Sequence, residues 1–189
     1  MKTKLKTLLA AHRKQTIVDS SRICSAVLVP LFQDNGEYHI VFIKRTETVK
    51  THKGQISFPG GGRESCDKDL KDTAIREAVE EIGLRARDIE VIGELDDEIT
   101  TTSNYIVTPF VAIIPWPYEF KPEKAEVAEI ITVPFTALLD EKNIKPAIET
   151  IEGGIVVDSY EYHYKGKIIW GATARILQKF LEIIKEASA

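Results

Sequence analysis

The chain has 189 residues, 43% hydrophobic and 29% charged, proportions of a single globular domain with a buried core rather than of a disordered chain. Its 25 basic and 29 acidic residues leave a net charge of −4, which gives no electrostatic case for binding nucleic acid.

Residues 3–14 read as a short amphipathic helix with Leu5, Leu8 and Leu9 on one side, within an N-terminal helical extension spanning 1–20. The apolar run there stops at His12-Arg13-Lys14, too early for a secretion signal. No stretch of about 18 apolar residues occurs anywhere. The expectation is a soluble, cytoplasmic protein with no membrane partner. Segments 23–32 and 38–45 read as buried strands joined through Asn35-Gly36, a hairpin signal. The segment 46–66 is a polar, glycine-rich loop. Cys24 and Cys66 match no metal motif or disulfide framework and suit a reducing compartment.

Asp67 to Ile82 is predicted helical, since Leu70, Ala74, Ala78 and Ile82 recur every fourth residue, Ile75 and Val79 widen the stripe, and Gly83 is a natural stop. Strands are expected at 88–95 and 105–114, then a proline-rich loop, then a strand at 127–133 with a helical turn after Pro134. A hairpin over 155–170 turns near Lys165-Gly166-Lys167, and an amphipathic helix closes the chain. Strands mixed with about three helices indicate a layered α/β or α+β domain.

Within the predicted helix the run REAVEEIG places Glu77 and Glu81 about 40° apart around the axis, with Glu80 about 60° to the other side of Glu77. Like charges at this spacing repel. Either they form a solvated acidic face, or a cation sits against them. Hard cations such as Mg²⁺ take carboxylate oxygens, completed by water and substrate phosphate. The segment FPGGGRESCD (58–67) runs directly into this helix, and its glycines permit a close backbone approach to a ligand.

Together these pieces resemble the Nudix box: a glycine, an acid six residues on, then R-E-U-x-E-E-x-G-U with U apolar. The second half is complete from Arg76 to Leu84. In the first half Asp67 stands six after Gly61, but Arg76 stands fifteen after it, one more than the family pattern. The resemblance implies an α/β/α sandwich around a mixed β-sheet, with residues 54–84 as the Nudix loop and helix of one domain over 1–189. It implies hydrolysis of a phosphoanhydride in a nucleoside diphosphate derivative, with Mg²⁺ or Mn²⁺ as cofactor. By motif position Glu77 and Glu81 would ligate the metal, Glu80 would share it or act as base, and Arg76 would orient the glutamates.

Upstream, VFIKRTETVKTHKGQISFPGG (41–61) resembles the signature of coenzyme A pyrophosphatases within that family. Arg45, Gly54, Phe58, Pro59, Gly60 and Gly61 fit, whereas Ile43, Thr46 and Lys50 depart from it. Lys50 keeps the charge of the expected arginine but loses its bidentate fork. Arg45 and Lys50 are the expected substrate contacts, with His52 open between contact and plain surface, and with Gly60 and Gly61 at the ligand. Segments 95–112 and 168–177 resemble the same subfamily.

Other residues carry weaker signals. Asp96, Asp97 and Glu98 form a polar turn or line the cleft, the turn being preferred. Glu126 is the candidate for one further acid from a loop. Trp116, Tyr118 and Phe120 either stack on adenine or, preferably, cover the sheet. The alternating Tyr160, Tyr162 and Tyr164 face either the core or a homodimer surface. Trp170 is expected in the core, and Arg175 in a structural pair. The leading function is cleavage of coenzyme A, or a derivative, to 3′,5′-ADP and a 4′-phosphopantetheine product. Alternatives are the same chemistry on ADP-ribose or a dinucleotide, and a non-catalytic nucleotide-binding domain.

Overall fold

The computed structural model describes residues 2–48, 52–100, 103–151 and 155–186. At its centre β1 (Ile23–Asp34) and β2 (Glu37–Arg45) form the predicted hairpin, in register from Leu31↔Ile40 to Asp34↔Glu37. Asn35 at φ 47° and Gly36 at φ 86° are both left-handed, which matches a two-residue turn to the twist of its strands.

The short strands β3 (Ile56–Ser57) and β4 (Gly60–Gly62) add to β2 and β1 respectively. After α2 (Leu70–Ile82) come β5 (Glu90–Glu94), β6 (Glu98–Ile99) and β7 (Tyr105–Ile113). β7 lies parallel to β1 from Ile23↔Tyr105 to Leu31↔Ile113, whereas β5 and β6 pair antiparallel with β7. β8 (Val127–Pro134) pairs with β2 and completes an eight-stranded mixed sheet.

Period-two alternation divides this sheet into two faces. On one, Ala26, Leu28, Val41 and Ile43 pack against Ala74, Ala78 and Ile82 of α2. On the other, Val29, Leu31, Ile40 and Phe42 share a core with Leu5 and Leu9 of α1 (Lys2–Ala11) and with Ile176, Leu177 and Phe180 of α4 (Gly171–Glu186). Helices on both faces of a mixed sheet make the expected α/β/α sandwich.

A helical turn, α3 (Phe135–Leu139), follows Pro134 as expected. The predicted hairpin appears as β10 (Ile155–Tyr164) and β11 (Lys167–Ile169), but β9 (Ile144–Ile151) pairs with β10 to give an unanticipated three-stranded sheet. Tyr162 is buried in the core, with Tyr160 and Tyr164 partly buried against it, so this aromatic face packs inward. Trp116 stacks on Phe32 with ring centroids 3.9 Å apart, and Tyr118 and Phe120 pack under the same face, a covering role. Trp170 departs from expectation. It is 41% exposed, because β11 ends on the buried Ile169 and the next residue turns outward into α4.

Asp96, Asp97 and Glu98 neither form a solvated turn nor line the cleft. The buried Asp97 accepts from the Ile17 amide at 3.0 Å and the Thr108 hydroxyl at 2.6 Å. Asp96 accepts from the Gln15 amide at 2.8 Å, and Glu98 pairs with Arg175 and Lys179, each at 3.0 Å. The three acids therefore fasten the N-terminal extension and α4 to the sheet. Among the described residues no helix is long and apolar enough to cross a membrane.

Candidate active site

Helix α2 starts three residues later than periodicity suggests, because the Asp69 side chain caps it by accepting from the Asp72 amide. It ends at Gly83, left-handed at φ 70°, whose amide returns to Ala78 and Val79. The amides of Lys121 and Glu123 donate to the Ile82 and Glu81 carbonyls at 3.0 and 2.9 Å, which satisfies orphan acceptors at the helix end. These bonds also bring the loop carrying Glu126 alongside the helix. Thr46 secures that loop from the other side: its amide donates to the Glu126 carbonyl and its hydroxyl to the Ala125 carbonyl, both at 2.9 Å.

Arg76 organises the acidic edge. Its guanidinium grips Asp67 through Nε at 2.9 Å and Nη2 at 3.1 Å, and donates to the Gly62 carbonyl at 3.0 Å. Through Nη1 it reaches Glu77 and Glu80, each at 3.0 Å. Asp67 also accepts from the Glu64 amide and the Thr73 hydroxyl, at 2.8 and 2.9 Å. Arg76 above all, together with that amide, holds the Asp67 carboxyl far below the usual carboxylate range. The one-residue excess between Gly61 and Arg76 thus leaves Asp67 able to reach the arginine, and Asp67 supports Arg76.

Glu81 is the most enclosed of the glutamates. Its Oε2 accepts from the Gly60 amide at 2.8 Å, and its Oε1 lies 3.4 Å from Arg45 Nη1. Burial pushes its carboxyl up to about 8, against the opposing pull of the Gly60 amide and Arg45, and the charges of Glu77 and Glu126 push the same way as burial. Burial likewise raises Glu77, which Arg76 partly offsets. Glu80 is mostly solvent-exposed, and Glu126 extends to within 4.0 Å of Arg45.

These groups line one cleft of about 410 Å³, within the range of small-molecule sites. It gathers Arg45, His52, Gly60, Gly61, Arg76, Glu77, Glu80, Glu81 and Glu126, every described residue proposed from the sequence for catalysis, metal or substrate. Lys50 lies outside the described residues. His52 bridges Gln55 at 2.8 Å and Ser103 at 3.2 Å at the rim. The two glycines also have packing roles: a Cβ on Gly60 would stand 2.4 Å from the Ala26 carbonyl oxygen, and one on Gly61 2.4 Å from Glu77 Oε1. The sequence reading missed Trp170, just ahead of α4, Thr173 in its first turn, and Tyr105 from β7 as parts of the cleft lining. The signals for Trp170 are a large aromatic directly ahead of a helix-opening glycine and its place in the segment 168–177 that resembles the subfamily.

A family model described as the NUDIX domain matches residues 23–152. The chain belongs to the Nudix family. This Nudix chain is 30% identical over 161 residues to the Nudix hydrolase NudL of Photorhabdus laumondii, covering 85% of itself and 84% of that protein. It is 34% identical to the chloroplastic Nudix hydrolase 22 of Arabidopsis thaliana over 85% of itself, and spans 55% of that longer protein. The NUDIX domain of Shewanella oneidensis NrtR, solved with ADP-ribose, shares the fold at TM-score 0.57 and 14% identity, with 90% of this chain and 91% of that one covered. A MutT/nudix family protein of Enterococcus faecalis aligns at TM-score 0.59 and 12% identity, with 96% of this chain and 69% of that one covered. The activity class of this Nudix enzyme is pyrophosphohydrolysis of a nucleoside diphosphate derivative.

Nudix hydrolases generally use divalent metals such as Mg²⁺ or Mn²⁺. Among the described residues no three His, Cys, Asp or Glu side chains stand clustered as metal ligands, because the glutamates are turned to arginines and to the Gly60 amide. The chemistry of the donor set nevertheless fits such an ion. Glu77, Glu80 and Glu81 offer only hard oxygens, and burial, the first cause of the raised pKa values of Glu77 and Glu81, disfavours their charged forms in the absence of a cation.

Proposed function

We propose that this enzyme splits the pyrophosphate of coenzyme A, or a close derivative, into 3′,5′-ADP and a 4′-phosphopantetheine product. The observation that carries the reading is the meeting of two separate sequence signals in one cleft. Arg45 and His52, from the segment ahead of the Nudix box, line the same space as Glu77 and Glu81 of the helix. Coenzyme A carries a 3′-phosphate besides its pyrophosphate, and a basic rim at Arg45 and His52 would answer that extra charge.

In this reading Glu77, Glu80 and Glu81 hold Mg²⁺ or Mn²⁺, Glu126 adds a further carboxylate, and Glu80, the most exposed of these three helix glutamates, is available as base. When bound, the ion neutralises charge on the phosphate oxygens and lowers the pKa of an attacking water. Arg76 keeps Glu77 and Glu80 aligned, Arg45 balances Glu81 and Glu126 until substrate arrives, and Gly60 and Gly61 let the substrate approach the backbone. The chain acts as one domain over 1–189 in the cytoplasm.

Mass spectrometry of products tests this on coenzyme A, ADP-ribose and a dinucleotide side by side with either metal. Cleavage of coenzyme A at its pyrophosphate, faster than the others, is the expected result. Dephospho-coenzyme A should show a lower kcat/KM than coenzyme A. Equal values would remove the basic rim from the account, and preference for ADP-ribose would replace the substrate while keeping the chemistry.

A further inference from the structure

The cleft is lined by charged groups, Glu77 and Glu81 among them, and also by apolar side chains, Ile56, Val107, Trp170 and Ile176. Trp170 differs from the other apolar residues of the lining. Its neighbours anchor deeply, with Ile169 and Ile176 each 2% exposed, yet the indole itself stays 41% exposed. The turn that holds it there is fixed on both sides: β11 ends at Ile169, and Gly171, left-handed at φ 68°, redirects the chain into α4.

Singly exposed hydrophobic residues are ordinary on a surface. This one is not on open surface but at the lip of the reaction cleft, and among the described residues no aromatic ring stacks on it. The other tryptophan, Trp116, is 37% exposed, but its ring stacks on Phe32 and it does not line the cleft. A partly bare indole in the same cleft as Glu77 and Glu81 offers a flat π-surface to a flat ligand.

We infer that Trp170 stacks on the purine base of the nucleoside diphosphate substrate, an assignment that rests on the proposed hydrolase reading and adds the base-binding half of the site. The pantetheine end of coenzyme A is the competing occupant. It is flexible and presents no flat face to match the exposed indole. A purine presents a flat π-face, and stacking of this kind is a substantial part of base binding wherever an aromatic side chain meets it.

Trp116→Phe leaves Trp170 as the sole tryptophan, and its fluorescence then reports on the cleft without turnover. ADP titrated into this variant should quench the emission, whereas pantetheine should not. Trp170→Ala should raise KM for the adenine-containing substrate by about tenfold with kcat changed less than about threefold, and Trp170→Phe should restore most of the loss. Competitive inhibition by ADP without any change in Trp170 emission would overturn the assignment while leaving the hydrolase reading intact. So would a response to pantetheine alone. Quenching by ADP in an enzyme that fails to cleave coenzyme A would support Trp170 and reject the coenzyme A reading.

Discussion

Glu81 shows how one residue couples stability to the site. Its carboxyl, raised from an ordinary 4.5 to about 8 first of all by burial, reverses the usual acid pattern. The metal-free fold is favoured below about pH 4.5, where the group is neutral both folded and unfolded, and loses that advantage as pH rises, levelling above about 8. The Tm measured in chelator should therefore fall between pH 5 and pH 8, and the increase on adding Mn²⁺ should be larger at pH 8. Glu81→Gln should flatten the decline and lower kcat by more than about 100-fold, beyond what loss of a merely supporting group costs. A Tm profile identical in the two proteins would refute the buried-charge account. The neighbouring glycines make a paired test. A methyl on Gly61 meets the movable end of Glu77, so Gly61→Ala should cut activity with little change in Tm. At Gly60 it meets backbone, which cannot swing aside, so Gly60→Ala should lower Tm as well. Equal effects at the two positions would contradict this division.

At the scale of elements, what was legible in the sequence is what local pattern alone determines. Helix α2 follows from its every-fourth apolar stripe, and the first hairpin from Asn35-Gly36. Strand β9 was not legible. Its inner face spends a position on Glu149, which accepts from Ser159 at 2.7 Å and pairs with Arg175, so the apolar alternation that announces a strand is broken. Strand β4 is three glycines, a poor strand by propensity, and exists because β1 offers Ser25, Ala26 and Val27 for pairing. Asp67 falls between these cases: its position relative to Gly61 was visible, but its bond to Arg76 depends on how the longer loop folds back. Its depressed pKa means that stability is present above the usual carboxylate range and is lost as pH falls through it. Asp67→Asn should lower Tm at neutral pH, with the gap to the parent narrowing as the solution is acidified. Because Arg76 then loses its anchor, kcat should fall about 10- to 100-fold. Full activity in that variant would show that Glu77 and Glu80 do not need Arg76 held in place.

Across the whole molecule the two ends of the chain complete what the central segment begins. The family match runs over 23–152, yet the core on the face opposite α2 draws Leu5 and Leu9 from one terminus and Tyr162, Leu177 and Phe180 from the other. The same outlying segments are tied down by charge, through Asp96 and Asp97 to the N-terminal extension and through Glu98 to Arg175 and Lys179. One wall of the cleft, Trp170 to Ile176, therefore depends on α4 being seated on this core. Leu9 tests the link. It is 4% exposed, and it lies so close to β5 that a Cβ on Gly93 would come within 2.6 Å of its own Cβ. Leu9→Ala should cost about 2–5 kcal/mol, the range for removing buried leucine atoms and leaving a cavity. Since residues of both sheets and both terminal helices belong to one apolar cluster, the loss should appear as a lower urea midpoint of a single transition. Below that midpoint kcat/KM should stay near the parent value, because Leu9 does not line the cleft. Two separate transitions, with the terminal segments melting first, would show that α1 and α4 are an appendage to the sheet instead of half of its core.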